Sequence, residues 1–130
     1  MDQNIADQYK LAFEDKVHDW NWITKIVSTN NPYLTAFLNS WNSAEQITDS
    51  LLPDINDALN NPGQEIESDS VTVDIIMHKN EVDFYDDVKG YVISIPLQDF
   101  KEIVTEWRNF LKTTPSGGLR VRLFLKKLLG

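Results

Sequence analysis

The stretch from Val71 to Leu111, VTVDIIMHKNEVDFYDDVKGYVISIPLQDFKEIVTEWRNFL, decides the fold. Val71, Val73, Ile75 and Met77 alternate with Thr72, Asp74, Ile76 and His78, the two-residue period of a strand. His78-Lys79-Asn80-Glu81 turns the chain. Val82 and Phe84 then alternate with Asp83 and Tyr85 in a shorter strand. Asp86 to Gly90 forms a second turn, and Tyr91, Ile93 and Ile95 alternate with Val92 and Ser94 until Pro96 ends the run. Three successive strands on short turns predict an antiparallel meander. The period then changes. Phe100, Ile103, Val104, Trp107, Phe110 and Leu111 recur at three- and four-residue spacing, with polar residues between them. This predicts an amphipathic helix that packs on the sheet. Asp99 near its start and Lys112 near its end suit the helix dipole.

Upstream the pattern is helical. Ile5, Tyr9, Ala12, Phe13 and Val17 predict a helix over 3–17. The stretch Trp20 to Val27 either extends that helix or leaves it. Asn31 caps a second helix with Pro32 at its first position, and Leu34, Phe37, Leu38 and Trp41 form its stripe. Ser43 with Gln46 resembles a capping box. Ile47, Leu51, Ile55 and Leu59 continue the stripe, and Pro53 is expected to kink that helix or start a new one. Asn60-Asn61-Pro62-Gly63 is a strong turn signal. Downstream, Thr114-Pro115-Ser116-Gly117-Gly118 breaks the last helix. Leu119, Val121, Leu123 and Leu125 alternate with Arg120, Arg122 and Lys126, which favours a final strand over a short terminal helix. The expected architecture is one α+β domain over residues 1–130: N-terminal helices, an antiparallel meander, the amphipathic helix, and this C-terminal strand.

Composition fits that reading. The 130 residues are 42% hydrophobic and include four Trp, four Tyr and six Phe, which argues against disorder. No cysteine is present, so disulfides, thiolate metal sites and thiol catalysis are excluded, and a reducing compartment is favoured. Met1 to Lys16 is acidic and polar, with no apolar stretch behind a basic region, so no signal peptide is expected there. No apolar run approaches the length of a membrane span. A cytoplasmic location is expected.

Charge is unevenly spread. The formal net charge is −8, yet residues 101–130 hold seven of the twelve bases and two of the twenty acids. An acidic body repels phosphate backbones, so no direct nucleic-acid binding is expected. It attracts basic partners and speeds their association. Mere solubility accounts equally well for such acidity. The basic segment Arg120 to Lys127 reads as a strand edge guarded by charge rather than as a lipid-binding patch.

No catalytic motif stands out. His18 and His78 sit in no metal-binding spacing, and no nucleophile elbow, phosphate loop or dinucleotide fingerprint occurs. The acidic cluster Glu81, Asp83, Asp86 and Asp87 lacks the alternating ligands and central glycine of a calcium loop. It reads as a solvated hairpin tip or a charged recognition edge. No metal, cofactor or catalytic residue is expected. Trp20-Asn21-Trp22 offers two aromatic side chains that serve either the core or an interface.

The three strand runs, with the helix from Asp99 to Leu111, resemble small bacterial immunity proteins of polymorphic-toxin and contact-dependent inhibition systems. Those proteins often show a meander leading into a helix of the form D-F-x-x-I-V-x-x-W-x-x-F-L. The resemblance covers about residues 71–111 and carries no binding residue with it. It implies a non-catalytic protein that binds and occludes a toxin domain, and an acidic inhibitor suits a basic nuclease. The surface expected to meet it is the acidic edge of the meander, Glu81, Asp83, Tyr85, Asp86 and Asp87, with Glu65, Glu67 and Asp69 beside it. Two other readings stay open: a homo-oligomeric or adaptor module, and an enzyme or small-ligand binder built on His18, His78 or dispersed carboxylates.

Overall fold

The computed structural model describes residues 2–19, 22–114 and 120–123, the last four as a backbone path. Helix α1 (Gln3–Tyr9) starts at Asp2, whose carboxylate accepts the Asn4 N–H. It stops at Lys10, which takes left-handed angles (φ 50°, ψ 50°). Leu11 N–H folds back to Ala6 O at 3.1 Å, and the chain leaves the helical path. Residues 12–17, expected to continue the helix, instead form strand β1 (Ala12–Val17). The reason is visible in the side chains: Leu11, Phe13 and Asp15 are all buried, so alternate positions face inward. A charged residue at one of those positions hid the two-residue period.

Strand β2 (Ile23–Ser28) pairs antiparallel with β1, from Ala12↔Ser28 to Val17↔Ile23. The ambiguous stretch therefore leaves the helix as a strand. Trp20 and Asn21 lie outside the described residues, and Trp22 is 54% exposed. Strand β7 (Arg120–Leu123) lies on the other side of β1. The first sheet thus runs β2-β1-β7. Leu119 and residues 124–126, the rest of the expected terminal strand, lie outside the described residues.

Helix α2 (Pro32–Ser40) is capped by Asn31, whose side chain accepts the N–H groups of Tyr33 and Leu34, with Pro32 opening the helix as expected. Ser43 accepts the Gln46 N–H and caps α3 (Ala44–Gln46). A π-helical stretch, Ile47–Leu51, follows, closed by Leu52 N–H on Ile47 O. Pro53 then falls in the first turn of α4 (Leu52–Asn60), directly after the π-helical stretch.

The second sheet has four strands in the order β3-β4-β5-β6, all antiparallel neighbours in sequence: β3 (Ile66–Asp69), β4 (Val73–His78), β5 (Glu81–Asp86) and β6 (Gly90–Pro96). Three of these follow from the sequence pattern. β3 does not, because Ile66 is its only apolar residue. Lys79 and Asn80 take positive φ in the β4–β5 turn. The Asp86 carboxylate accepts the N–H groups of Val88 and Lys89, and Gly90 takes φ 76° in the β5–β6 turn.

Helix α5 (Leu97–Leu111) presents Phe100, Ile103, Val104, Trp107 and Phe110 to the interior, all buried. Phe37, Phe84 and Phe100 pack with ring centroids 5.9 to 6.2 Å apart under the four-stranded sheet. Phe13 of the other sheet rests on Trp107 and Phe110. Trp107 Nε1 donates to Leu38 O and Trp41 O, satisfying carbonyls where α2 ends. α5 is therefore the wall shared by both sheets. Tyr9 OH donates to Asp99 Oδ2 at 2.7 Å and ties α1 to it. Burial, then the hydrogen bond to Asp99 and its charge, raise the Tyr9 pKa.

Candidate functional site

In the four-stranded sheet Val73, Ile75, Met77, Val82, Phe84 and Ile95 face the helices and are buried. Strand alternation sends their neighbours to the opposite face, where Glu67, Asp69, Asp74, Glu81 and Tyr91 are exposed. Glu67 and Asp69 of β3, Asp74 and His78 of β4, Glu81, Asp83 and Tyr85 of β5, and Tyr91 and Ser94 of β6 share that outer face. The expected edge is thus corrected. β5 is an interior strand, flanked by β4 and β6, so Glu81, Asp83 and Tyr85 lie on an open face. The acids at a strand edge are Glu67 and Asp69, which the sequence placed only beside the site.

The acids divide into two kinds. Asp83 is engaged: His78 Nε2 lies 2.6 Å from one carboxylate oxygen, and Ser94 Oγ donates to the other at 2.5 Å. Since the Ser94 proton goes to Asp83, Tyr91 OH donates to Ser94 Oγ, at 2.8 Å. Burial raises the Asp83 pKa, but the hydrogen bonds from Ser94 and His78 and the His78 charge outweigh it, leaving the carboxyl below its ordinary value of 3.8. Asp86 is engaged too, since its carboxylate builds the β5–β6 turn.

Asp74 represents the other kind. It is exposed, and its pKa is raised by burial and then by the negative charges of Asp87, Asp69 and Glu67. Four carboxylates thus crowd one end of the face close enough to repel one another. At that same end the turns between β3 and β4 and between β5 and β6 meet, with Asp87 N–H reaching Thr72 O at 3.3 Å. Both turns hold an exposed valine, Val71 at 82% and Val88 at 92%. Tyr85 and Tyr91 meet edge-to-face at 5.8 Å between the crowded acids and the Asp83 network. Negative charge thus lies beside exposed Val71, Val88 and Tyr91, with Tyr85 half-buried among them.

Ser94, Asp83 and His78 are in contact, but Ser94 donates to the carboxylate rather than to the imidazole, so their order differs from that of a Ser-His-Asp triad. His18 stands apart, just past the end of β1, stacked on Trp22 at 4.1 Å with Nε2 against Thr24 Oγ1. Among the described residues no three His, Cys, Asp or Glu side chains gather to hold a metal ion. No helix among them is long and apolar enough to cross a membrane.

No protein-family model, curated protein or solved structure matches this chain. Two features of the site carry no signal in the sequence. The Tyr85–Tyr91 contact depends on a register shift between Phe84 and Tyr85, and the convergence of Asp69, Asp74 and Asp87 depends on strand order.

Proposed function

We propose that this chain is an immunity protein of a bacterial toxin system, acting in the cytoplasm. It binds a basic toxin domain on the open face of its four-stranded sheet and blocks that domain by occlusion, with no chemistry of its own. The observation that carries this reading is the crowding of Glu67, Asp69, Asp74 and Asp87 beside a half-buried Tyr85 and an exposed Tyr91. Like charges held together lose stability unless something repays them, and a basic partner does so on binding. Long-range attraction would raise the association rate, and the tyrosines would slow release. The net charge of −8 and the resemblance over residues 71–111 point the same way.

The test uses charge reversal where the acids are free. Asp83 and Asp86 hold the fold locally, so Glu67, Asp74 and Asp87 are the residues to change to Lys. Wild-type protein used as bait on lysate and secreted fractions of the source cell should capture a protein with a basic toxin domain. Co-expression should relieve that domain's toxicity, and the triple variant should lose both effects. Capture without relief of toxicity would end the immunity reading.

The exposed Val71 and Val88 favour an adaptor as the second reading. Light scattering that gives a strict monomer across concentrations would remove its self-associating form.

A further inference from the structure

The β3–β4 hairpin closes with Ser70 N–H on Val73 O at 2.8 Å. In an antiparallel ladder this fixes the parity: Ser68 with Ile75 and Ile66 with Met77 exchange hydrogen bonds, whereas Asp69 with Asp74 and Glu67 with Ile76 do not. The backbone N–H and C=O groups of Glu67 and Asp69 therefore point away from β4, toward the free edge of the sheet. Trp41 confirms the direction independently, since its Nε1 donates to Asp69 O from that side at 2.9 Å. The Glu67 N–H, the Glu67 C=O and the Asp69 N–H are left facing outward.

These groups border a hollow of about 640 Å³ lined by Trp41, Ser50, Glu67, Asp69, Asp74 and Tyr85. Trp41 and Ser50 belong to the helix layer and the acids to the outer face, so the hollow wraps the edge of β3. Two other edges are partly closed. On β2 the Asn39 side chain takes both Val27 backbone groups, at 3.0 and 2.8 Å. On β6, Pro96 has no N–H to offer.

We infer that β3 is a docking edge, at which an extended segment of a protein partner, with Lys or Arg at alternate positions, adds as a fifth strand. It bonds the outward backbone groups of Glu67 and Asp69. Residues directly opposite these two share their face, so the alternate basic side chains meet Glu67, Asp69 and Asp74. A second copy of this chain is disfavoured as occupant, because Glu67 and Asp69 of two copies would face each other. The inference rests on the basic-partner reading above and adds backbone recognition to it.

The probe is an acetylated, amidated peptide of alternating Lys and Thr. A matched peptide carries the same charge but has its edge-facing amides N-methylated. Calorimetry on the intact protein should show the first binding at least tenfold tighter than the second, the loss expected for missing backbone hydrogen bonds. Binding of the first should also slow hydrogen exchange at the Glu67 amide. Glu67→Pro removes an outward N–H and breaks no bond to β4, so it should weaken binding more than Glu67→Gln, which removes the charge alone. If both peptides bind equally and Glu67→Pro matches Glu67→Gln, edge docking is wrong and the acidic face stands as a simple charge surface. If neither peptide binds, strand addition falls; if the bait experiment also captures no basic protein, the basic-partner reading falls with it.

Discussion

The two sheets handle acids in opposite ways. The three-stranded sheet buries one: Asp15 is fully enclosed, with Lys25 Nζ on one carboxylate oxygen at 2.5 Å and the other oxygen without a hydrogen bond. Lys25 also reaches Thr113 Oγ1 at 3.0 Å and lies 4.3 Å from the centre of the Phe110 ring. The four-stranded sheet keeps its acids on a face open to water. The difference separates Asp15, whose charge is committed to the fold, from the crowded acids of the open face around Asp74. A buried carboxylate with a single ionic partner is committed to structure, because losing that partner leaves an uncompensated charge in a medium of low dielectric.

The largest expected effect follows from that commitment. Lys25→Met should destabilise the protein by about 3–5 kcal/mol, read as a shift in the urea midpoint at unchanged slope. Asp15→Leu together with Lys25→Met should recover most of the loss, since replacing both charges with apolar groups is often neutral. By contrast, Asp74→Asn and Asp87→Asn on the other sheet should each stay within about 0.5 kcal/mol of wild type. A Lys25→Met variant as stable as those two would erase the distinction between the sheets.

That contrast also explains which parts of the fold were legible. The four-stranded sheet and α5 obey the plain rule of apolar residues in and polar residues out, so β4, β5, β6 and the helix follow from spacing alone. The three-stranded sheet breaks the rule at Asp15, and a left-handed Lys10 stands where glycine would have signalled the end of α1. The apolar residues Ile5, Tyr9 and Phe13 then happen to fall at four-residue steps and imitate one long helix. The site was legible by composition but not by place. Sequence shows acids near residues 81–87, but it does not show that β3 exists, that β5 is interior, or that Asp83 and Asp86 are already bound by their neighbours. Those facts belong to strand order and hydrogen-bond direction.

A middle-sized effect tests how the edges are treated. The Asn39 side chain closes β2 by accepting the Val27 N–H and donating to the Val27 C=O. Asn39→Ala should cost about 1–3 kcal/mol, because two backbone groups at a partly buried site lose their partner. It should also speed hydrogen exchange at Val27. Glu67→Gln on the open β3 edge removes no such bond and should leave stability nearly unchanged. Equal stability losses in the two variants would mean that the β3 edge is also held from within.

The smallest effects lie within the acidic face itself, where pH distinguishes its two kinds of acid. The Asp83 pKa is depressed in the folded protein, so its contribution to stability is present above the ordinary value of 3.8 and is lost as pH falls through the folded value. Ser94→Ala removes one donor to Asp83. Its deficit should therefore be full near pH 6 and shrink as pH falls through the folded Asp83 value. Asp74 has the opposite sign. Its folded pKa is raised, so the favourable contribution of its protonated form is present below 3.8 and is lost as pH rises through the folded value. Asp74→Asn escapes that loss, and its stability relative to wild type should climb as pH rises from 3 to 6. Denaturant midpoints taken across that range give both curves, which diverge in opposite directions above the titration window. If Asp74→Asn instead followed the falling curve of Ser94→Ala, Asp74 would be held by a favourable contact, and the face would no longer offer unspent charge to a basic partner.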